Sequence, residues 1–403
     1  MNSTKTRLRH NCFLNCFTTA AFSFLLIMLL VHPAIAQTQT DTPPAGDRLT
    51  LKRGGKEHHL VGDIQIEAQD DSLYFIQDNG RIWFVQPDEI VERIDSDQDA
   101  PAATFKAMEK SLLEELPKGF KILKTDHYLI AYQTEHAYAR WVRQLYEGRL
   151  YRAFDGFWEQ KKKLTLQDPK FPLVVIIFKS KAEYQRYVDR DLGPGQDIVA
   201  YFHMQTNRVV MYDLTAGDRR PGENISSTRR IEEIFQNPAA VYMVATIIHE
   251  GTHQLMFNRG VQTRFADTPL WMNEGLAIYF EAPNLRNRRG WTKPGLVFGQ
   301  RLYRFRNTLQ TRPKDSIQRL LTDDARLTNP ATAADGYAEA WAFNHFLLNR
   351  RSKDYIDYLK EHSEKPPLVE ADAQQRLEEF KKHFGDNFEK LERDFLQYVR
   401  TLR

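Results

Sequence analysis

PAAVYMVATIIHEGTHQLMFNRGVQTRFADTPLWMNEGLAIYFEAP, residues 238–283, is the stretch from which the rest of the chain is best read. Its first half predicts one long helix over 238–259. Asn237 can cap the start, Pro238 suits the first helical position, AAVYMVATII supplies an apolar body and Gly260 can end it. Such a helix is buried, so HEGTH (249–253) at its far end calls for a chemical reason. On a helix His249 and His253 stand one turn apart on one face. Both imidazoles can reach a single ion, with Glu250 beside them as the base that activates water. Twenty residues separate His253 from Glu274, which sits one turn into a second predicted helix opened by Pro269 and closed by Pro283. Glu274 supplies the third ligand of a His2Glu zinc site, leaving a fourth position open. Gly251 inside the helix costs about 1 kcal/mol against Ala, which makes sense where backbone or substrate approaches closely.

Working outward, the upstream chain predicts a mixed sheet. FKILKTDHYLIAY (120–132) reads as a strand and Glu135 to Lys162 as a helix. LVVIIF (173–178) reads as a buried strand, AEYQRYVDRD as a short helix, and IVAYFHM and RVVMYD as two further strands. Residues 214–236 are polar and read as a mobile loop. Before this body, 49–98 alternates as a small β module, with Leu73 and Phe75 expected to face Ile82 and Phe84 across Asp78-Asn79-Gly80. Beyond about residue 300 the chain reads as mainly helical. The expected class is α+β: an α+β lobe over 101–300, a helical lobe over 301–403, and the active cleft between them. His203, on a predicted strand, and His345, two turns past Tyr337, read as structural histidines.

Lys5, Arg7 and Arg9 precede an apolar run from Phe13 to Val31, then Pro33 and Ala34-Ile35-Ala36, which reads as an export signal over 1–36 cleaved after Ala36. Residues 37–48 read as a polar tether. Both cysteines, Cys12 and Cys16, lie inside that signal, so a bound metal must use histidine and carboxylate alone. Removing three basic residues leaves 56 − 3 = 53 Lys and Arg against 53 Asp and Glu. With no basic stripe there is no footprint for nucleic acid or an anionic membrane, and no stable membrane insertion is expected once the signal is cut. No feature of the sequence specifies an oligomeric state.

HEGTHQ and WMNEGLAIYF together resemble the gluzincins of the MA peptidase clan, whose aminopeptidase-like branch carries a comparable NEG(F/L)A segment. The metzincin pattern is not met, because Met256 and Arg259 stand where its Gly and His belong. The chain is also similar to exported bacterial proteins grouped as domain of unknown function 1570. The gluzincin resemblance implies a zincin-like fold, Zn2+ held by His249, His253 and Glu274, Glu250 as general base and proton shuttle, and Tyr337 as an oxyanion donor. Relatives often carry a carboxylate one turn after the third ligand; here Ile278 stands there, and Glu281, two turns on, is the nearest same-face substitute. The N-terminal-amine recognition motif of the aminopeptidases is absent. The expected function is therefore an exported zinc peptidase acting on peptide or protein substrates. The alternative is a zinc-binding pseudopeptidase that serves as an envelope binding or scaffold protein.

Overall fold

The computed structural model describes residues 45–217, 225–235, 237–282 and 293–403, and the fold is α+β. The expected export signal, and all but the last few residues of the tether, lie outside the described residues. Ala45–Arg403 forms one unit.

The first sheet holds strands β1 (Asp47–Arg53), β2 (Lys56–Glu67), β3 (Leu73–Gln77), β4 (Ile82–Val85) and β5 (Ile90–Ile94), all antiparallel in the order β4-β3-β2-β1-β5. One face buries Leu49, Leu51, Phe75 and Trp83. The register differs from expectation. Phe75 faces Trp83 and Leu73 faces Val85, while Tyr74 pairs with Phe84 on the opposite face. A one-residue slip changes which face each side chain takes. Here both faces of β3 are covered, because Phe265 packs edge-on against Phe84 and Tyr74 at 5.0 and 6.4 Å. Alternation alone could not choose between the two registers.

The second sheet is mixed, in the order β6-β7-β8-β10-β9, built from β6 (Lys121–Lys124), β7 (Tyr128–Tyr132), β8 (Leu173–Phe178), β9 (Ala200–His203) and β10 (Arg208–Tyr212). The three central strands run parallel, and β6 and β9 close the edges antiparallel. Every residue of β8 is buried, as its unbroken apolar run requires of a strand covered on both sides. Val174, Ile176 and Phe178 meet Met108 and Leu112 of α1 (Phe105–Glu115) and Tyr184 and Val188 of α4 (Lys181–Asp191). Leu173, Val175 and Ile177 face the main core.

Two expectations are corrected in this region. Residues 120–132 form a hairpin, β6 and β7, instead of one strand: the Thr125 hydroxyl accepts the Tyr128 N–H, and Glu147 accepts from both the Thr125 hydroxyl and the His127 N–H, stapling the turn. The polar stretch 214–236 contains a short helix, α5 (Thr228–Ile234), capped by the Ser227 side chain on the Arg230 N–H.

The main core is roofed by helices. The segment expected as one helix from 135 to 162 comprises α2 (His136–Leu145), α3 (Arg152–Asp155), and wider π-type turns at Tyr146–Tyr151 and Gly156–Lys161. Next come α6 (Pro238–Asn258) and α7 (Leu270–Glu281). The C-terminal part is α8 (Gly299–Thr308), α9 (Ser316–Thr322), α10 (Ala325–Thr328), α11 (Ala333–Arg350), α12 (Ser352–Ser363), α13 (Ala373–Phe384) and α14 (Phe388–Thr401). Among the described residues, no helix is long and apolar enough to cross a membrane.

Candidate active site

α6 is apolar around most of its circumference and buries Val244, Ile247, Ile248 and Leu255 in the main core. One stripe is spared. Thr246, His249, Glu250, His253 and Phe257 recur at helical spacing and line a cleft of about 420 Å³. α7 forms the facing wall with Asn273, Glu274 and Glu281, Phe202 and Met204 come from β9 and its turn, and Arg301 and Tyr337 come from α8 and α11.

Two close approaches fix this frame. A Cβ on Gly251 would lie 2.6 Å from the Tyr146 ring and 2.7 Å from Leu150, while the Tyr146 hydroxyl donates to the Ile247 carbonyl at 2.5 Å. The glycine signalled in the sequence thus admits the π-type turn of Tyr146–Tyr151, not a substrate. On α7, a Cβ on Gly275 would meet Asn344 and the Ala340 carbonyl of α11, so the residue beside Glu274 is held against the C-terminal helices.

Within this frame the three expected ligands converge. Their donor atoms lie within 4.8 Å of one another. Nε2 of His249 is 3.0 Å from Nε2 of His253 and 3.1 Å from Glu274 Oε2, and His253 Nε2 is 3.6 Å from Glu274 Oε1. Donors about 2.0–2.1 Å from a tetrahedral zinc stand roughly 3.3 Å apart, so these separations fit that ion. The other ring nitrogens agree. His249 Nδ1 is 2.9 Å from Glu281 Oε2 and His253 Nδ1 is 3.2 Å from Asn273 Oδ1, so each imidazole has a side-chain acceptor for its N–H and keeps Nε2 for a metal. Glu281, two turns beyond Glu274, thereby brings to His249 a carboxylate that Ile278, one turn beyond Glu274, does not supply.

The electrostatics favour a cation. Among the described residues lining the cleft, three carboxylates (Glu250, Glu274, Glu281) against one guanidinium (Arg301) leave −3 + 1 = −2 once the histidines are neutral, as metal ligands are. Burial works against charge on Glu274, but its close contacts with His253 and the His249 hydrogen bond outweigh it and hold its carboxyl well below the usual range. Burial likewise opposes charge on His249, but hydrogen bonds to Glu274 and Glu281 prevail and hold its pKa well above the histidine range. Glu250 moves the other way. Burial pushes its carboxyl up against the pull of His249 and His253, while its Oε2 accepts the Phe202 N–H at 2.8 Å. Tyr337 is lifted to about 12 by burial and by nearby Glu274, so at neutral pH it is a phenol donor.

The two other histidines singled out in the sequence, His203 and His345, lie elsewhere. Phe202 and Met204 turn to the cleft, so His203 between them points away, where its Nδ1 accepts the Thr206 N–H at 3.2 Å. His345 is buried between the Tyr398 hydroxyl at 2.7 Å and the Gly295 carbonyl at 3.2 Å, and burial pushes its pKa down to about 4. Sequence reasoning missed Asn273, Phe202 and Arg301. Asn273 adjoins Glu274 in the NEG segment and was within reach of a spacing argument; the other two arrive only through tertiary packing. A comparison with curated proteins finds no match. A family model described as a protein of unknown function (DUF1570) matches residues 243–369, a segment that carries every cleft residue named above except Phe202 and Met204.

Proposed function

We propose that this chain is an exported zinc-dependent peptidase of the gluzincin type, holding its metal on His249, His253 and Glu274. The observation that supports it most is the convergence of those donors at zinc-compatible separations in one cleft with an uncoordinated carboxylate, Glu250. A purely structural zinc site has no use for that carboxylate. When bound, zinc supplies a Lewis acid for a peptide carbonyl and lowers the pKa of water toward about 7.

The chain's own groups then have defined tasks. Glu250 has one oxygen fixed by the Phe202 N–H, and burial raises its proton affinity, as suits a base that takes a proton from water and returns it to the leaving amine. Tyr337 donates a hydrogen bond from its phenol O–H to the carbonyl oxygen as charge develops there. Glu281 and Asn273 set the orientation of the two imidazoles. The export signal over 1–36 puts this activity outside the cytoplasm, on peptide or protein substrates.

The test is metal content with activity. The mature protein should hold about one zinc per chain and cleave an unstructured polypeptide, and His253→Ala and Glu274→Ala should lose tight binding. Cleavage undiminished after chelation removes all metal would overturn the reading.

A further inference from the structure

The cleft is not symmetric about the metal donors. α6 and α7 run antiparallel along it, since His253 meets Asn273 and His249 meets Glu281. Beyond His253 the wall is apolar: Phe202 and Phe257 stack with ring centroids 5.8 Å apart, and Met204 joins them. Beyond His249 the wall is polar and carries Thr246, Glu281 and Arg301. The stripe from Thr246 to Phe257 is about 16 Å long at the rise of an α-helix, enough for several peptide residues.

Among the described residues lining this cleft, Arg301 is the cation. Its Nη2 makes a single 3.2 Å contact with Glu281 Oε1, its Nε is buried without a hydrogen-bond partner, and its side chain remains 27% exposed. A guanidinium offers five N–H donors in a planar fork suited to two carboxylate oxygens, and buried donors in native structures are normally matched by acceptors. One of the five meets Glu281 Oε1, and the other oxygen of that carboxylate lies against His249 Nδ1. A divalent cation offsets the −2 of the described lining residues, which lowers the repulsion an incoming carboxylate meets.

Resting on the peptidase reading, we infer that Arg301 determines specificity by taking a carboxylate of the peptide substrate at the Thr246 end of the cleft. The Phe202–Phe257 wall takes an apolar side chain at the other end. The carboxylate is either the C-terminus of the peptide or an Asp or Glu side chain. A residue that only braced Glu281, and through it His249, would affect every substrate alike.

The experiment uses the full mature chain as Glu250→Gln, loaded with zinc so that bound peptides persist, and reads affinity by calorimetry. Four versions of one unstructured peptide with an apolar centre are compared: Glu or Gln at one position, each with a free or an amidated C-terminus. Removing the recognised carboxylate should weaken binding about 10- to 100-fold, the range of a hydrogen bond to a charged group. Loss on amidation assigns the terminus, and loss on Glu to Gln assigns the side chain. Adding Arg301→Gln should bring all four within about twofold of one another, Arg301→Lys should keep part of the preference, and both should retain zinc and the parent's unfolding temperature. Equal affinity of the four peptides for the parent, or a uniform loss in Arg301→Gln, overturns the inference. Selective binding without cleavage by protein that retains Glu250 overturns the peptidase reading alone, and no binding by any peptide overturns both.

Discussion

Gly275→Ala sets helix propensity against packing. In an open helix the change gains about 1 kcal/mol. Here the new Cβ would lie 2.0 Å from Asn344 Nδ2 and 2.6 Å from the Ala340 carbonyl oxygen, where ordinary contact is about 3.5 Å. Asn344 cannot swing aside freely. Its Nδ2 donates to the Trp271 and Ala340 carbonyls at 2.8 Å each, and its Oδ1 accepts from the Tyr355 hydroxyl, all in the buried seam of α7 and α11. Overpacking costs about 1–3 kcal/mol, and loss of buried hydrogen bonds about 1–3 more. Packing should win, leaving the variant about 1–5 kcal/mol less stable, with zinc bound more weakly because Glu274 moves with its neighbour. Gly148→Ala is the contrast: that glycine is exposed in a helical turn with nothing within 4 Å of its added Cβ, and the variant should be more stable by up to about 1 kcal/mol. Denaturant midpoints of the metal-free proteins read both. A Gly275→Ala protein as stable as wild type would refute the packing argument.

Glu281→Gln should leave the fold intact and weaken zinc about 10- to 100-fold, because the acceptor that orients His249 loses its charge; competition with a chelating dye measures this, and unchanged affinity would remove Glu281 from the site. Tyr337→Phe should lower kcat by about 10²- to 10³-fold with zinc content unchanged, since a phenol held near 12 carries its proton at neutral pH; an unaltered kcat denies it the oxyanion role. Because His249 is held above the ordinary histidine range in the metal-free protein, zinc must displace its proton near neutrality, so affinity should rise with pH. Calorimetry in buffers of different ionisation enthalpy should show about one proton released per zinc at pH 7, and zero release would contradict it.

What could be read from the sequence follows from how local each signal is. His249, Glu250 and His253 are set by one turn of one helix, and Glu281 follows from Glu274 by two turns, so spacing placed all of them on facing stripes. Glu274 required only that a second helix return along the first. Arg301 and the Phe202 N–H had no such signal, because a helix and an edge strand bring them in from distant parts of the chain. Gly251 announced a close approach, but Tyr146 reaches it from a π-type turn, which has no pattern distinct from an ordinary helix. The register of β3 on β4 was equally hidden: with Phe265 covering the second face, apolar residues on both sides erase the alternation that would have fixed it.

In the proposed peptidase Glu250 is a base beside a metal, and not a ligand or a structural group. Parallel assay of wild type and Glu250→Gln, each at measured zinc content, tests it most directly. The Gln variant should hold equal zinc, unfold at or above the wild-type temperature because a buried carboxylate has gone, and hydrolyse peptide about 10²- to 10⁴-fold more slowly. A Gln variant that holds zinc and cleaves as fast as wild type would contradict it.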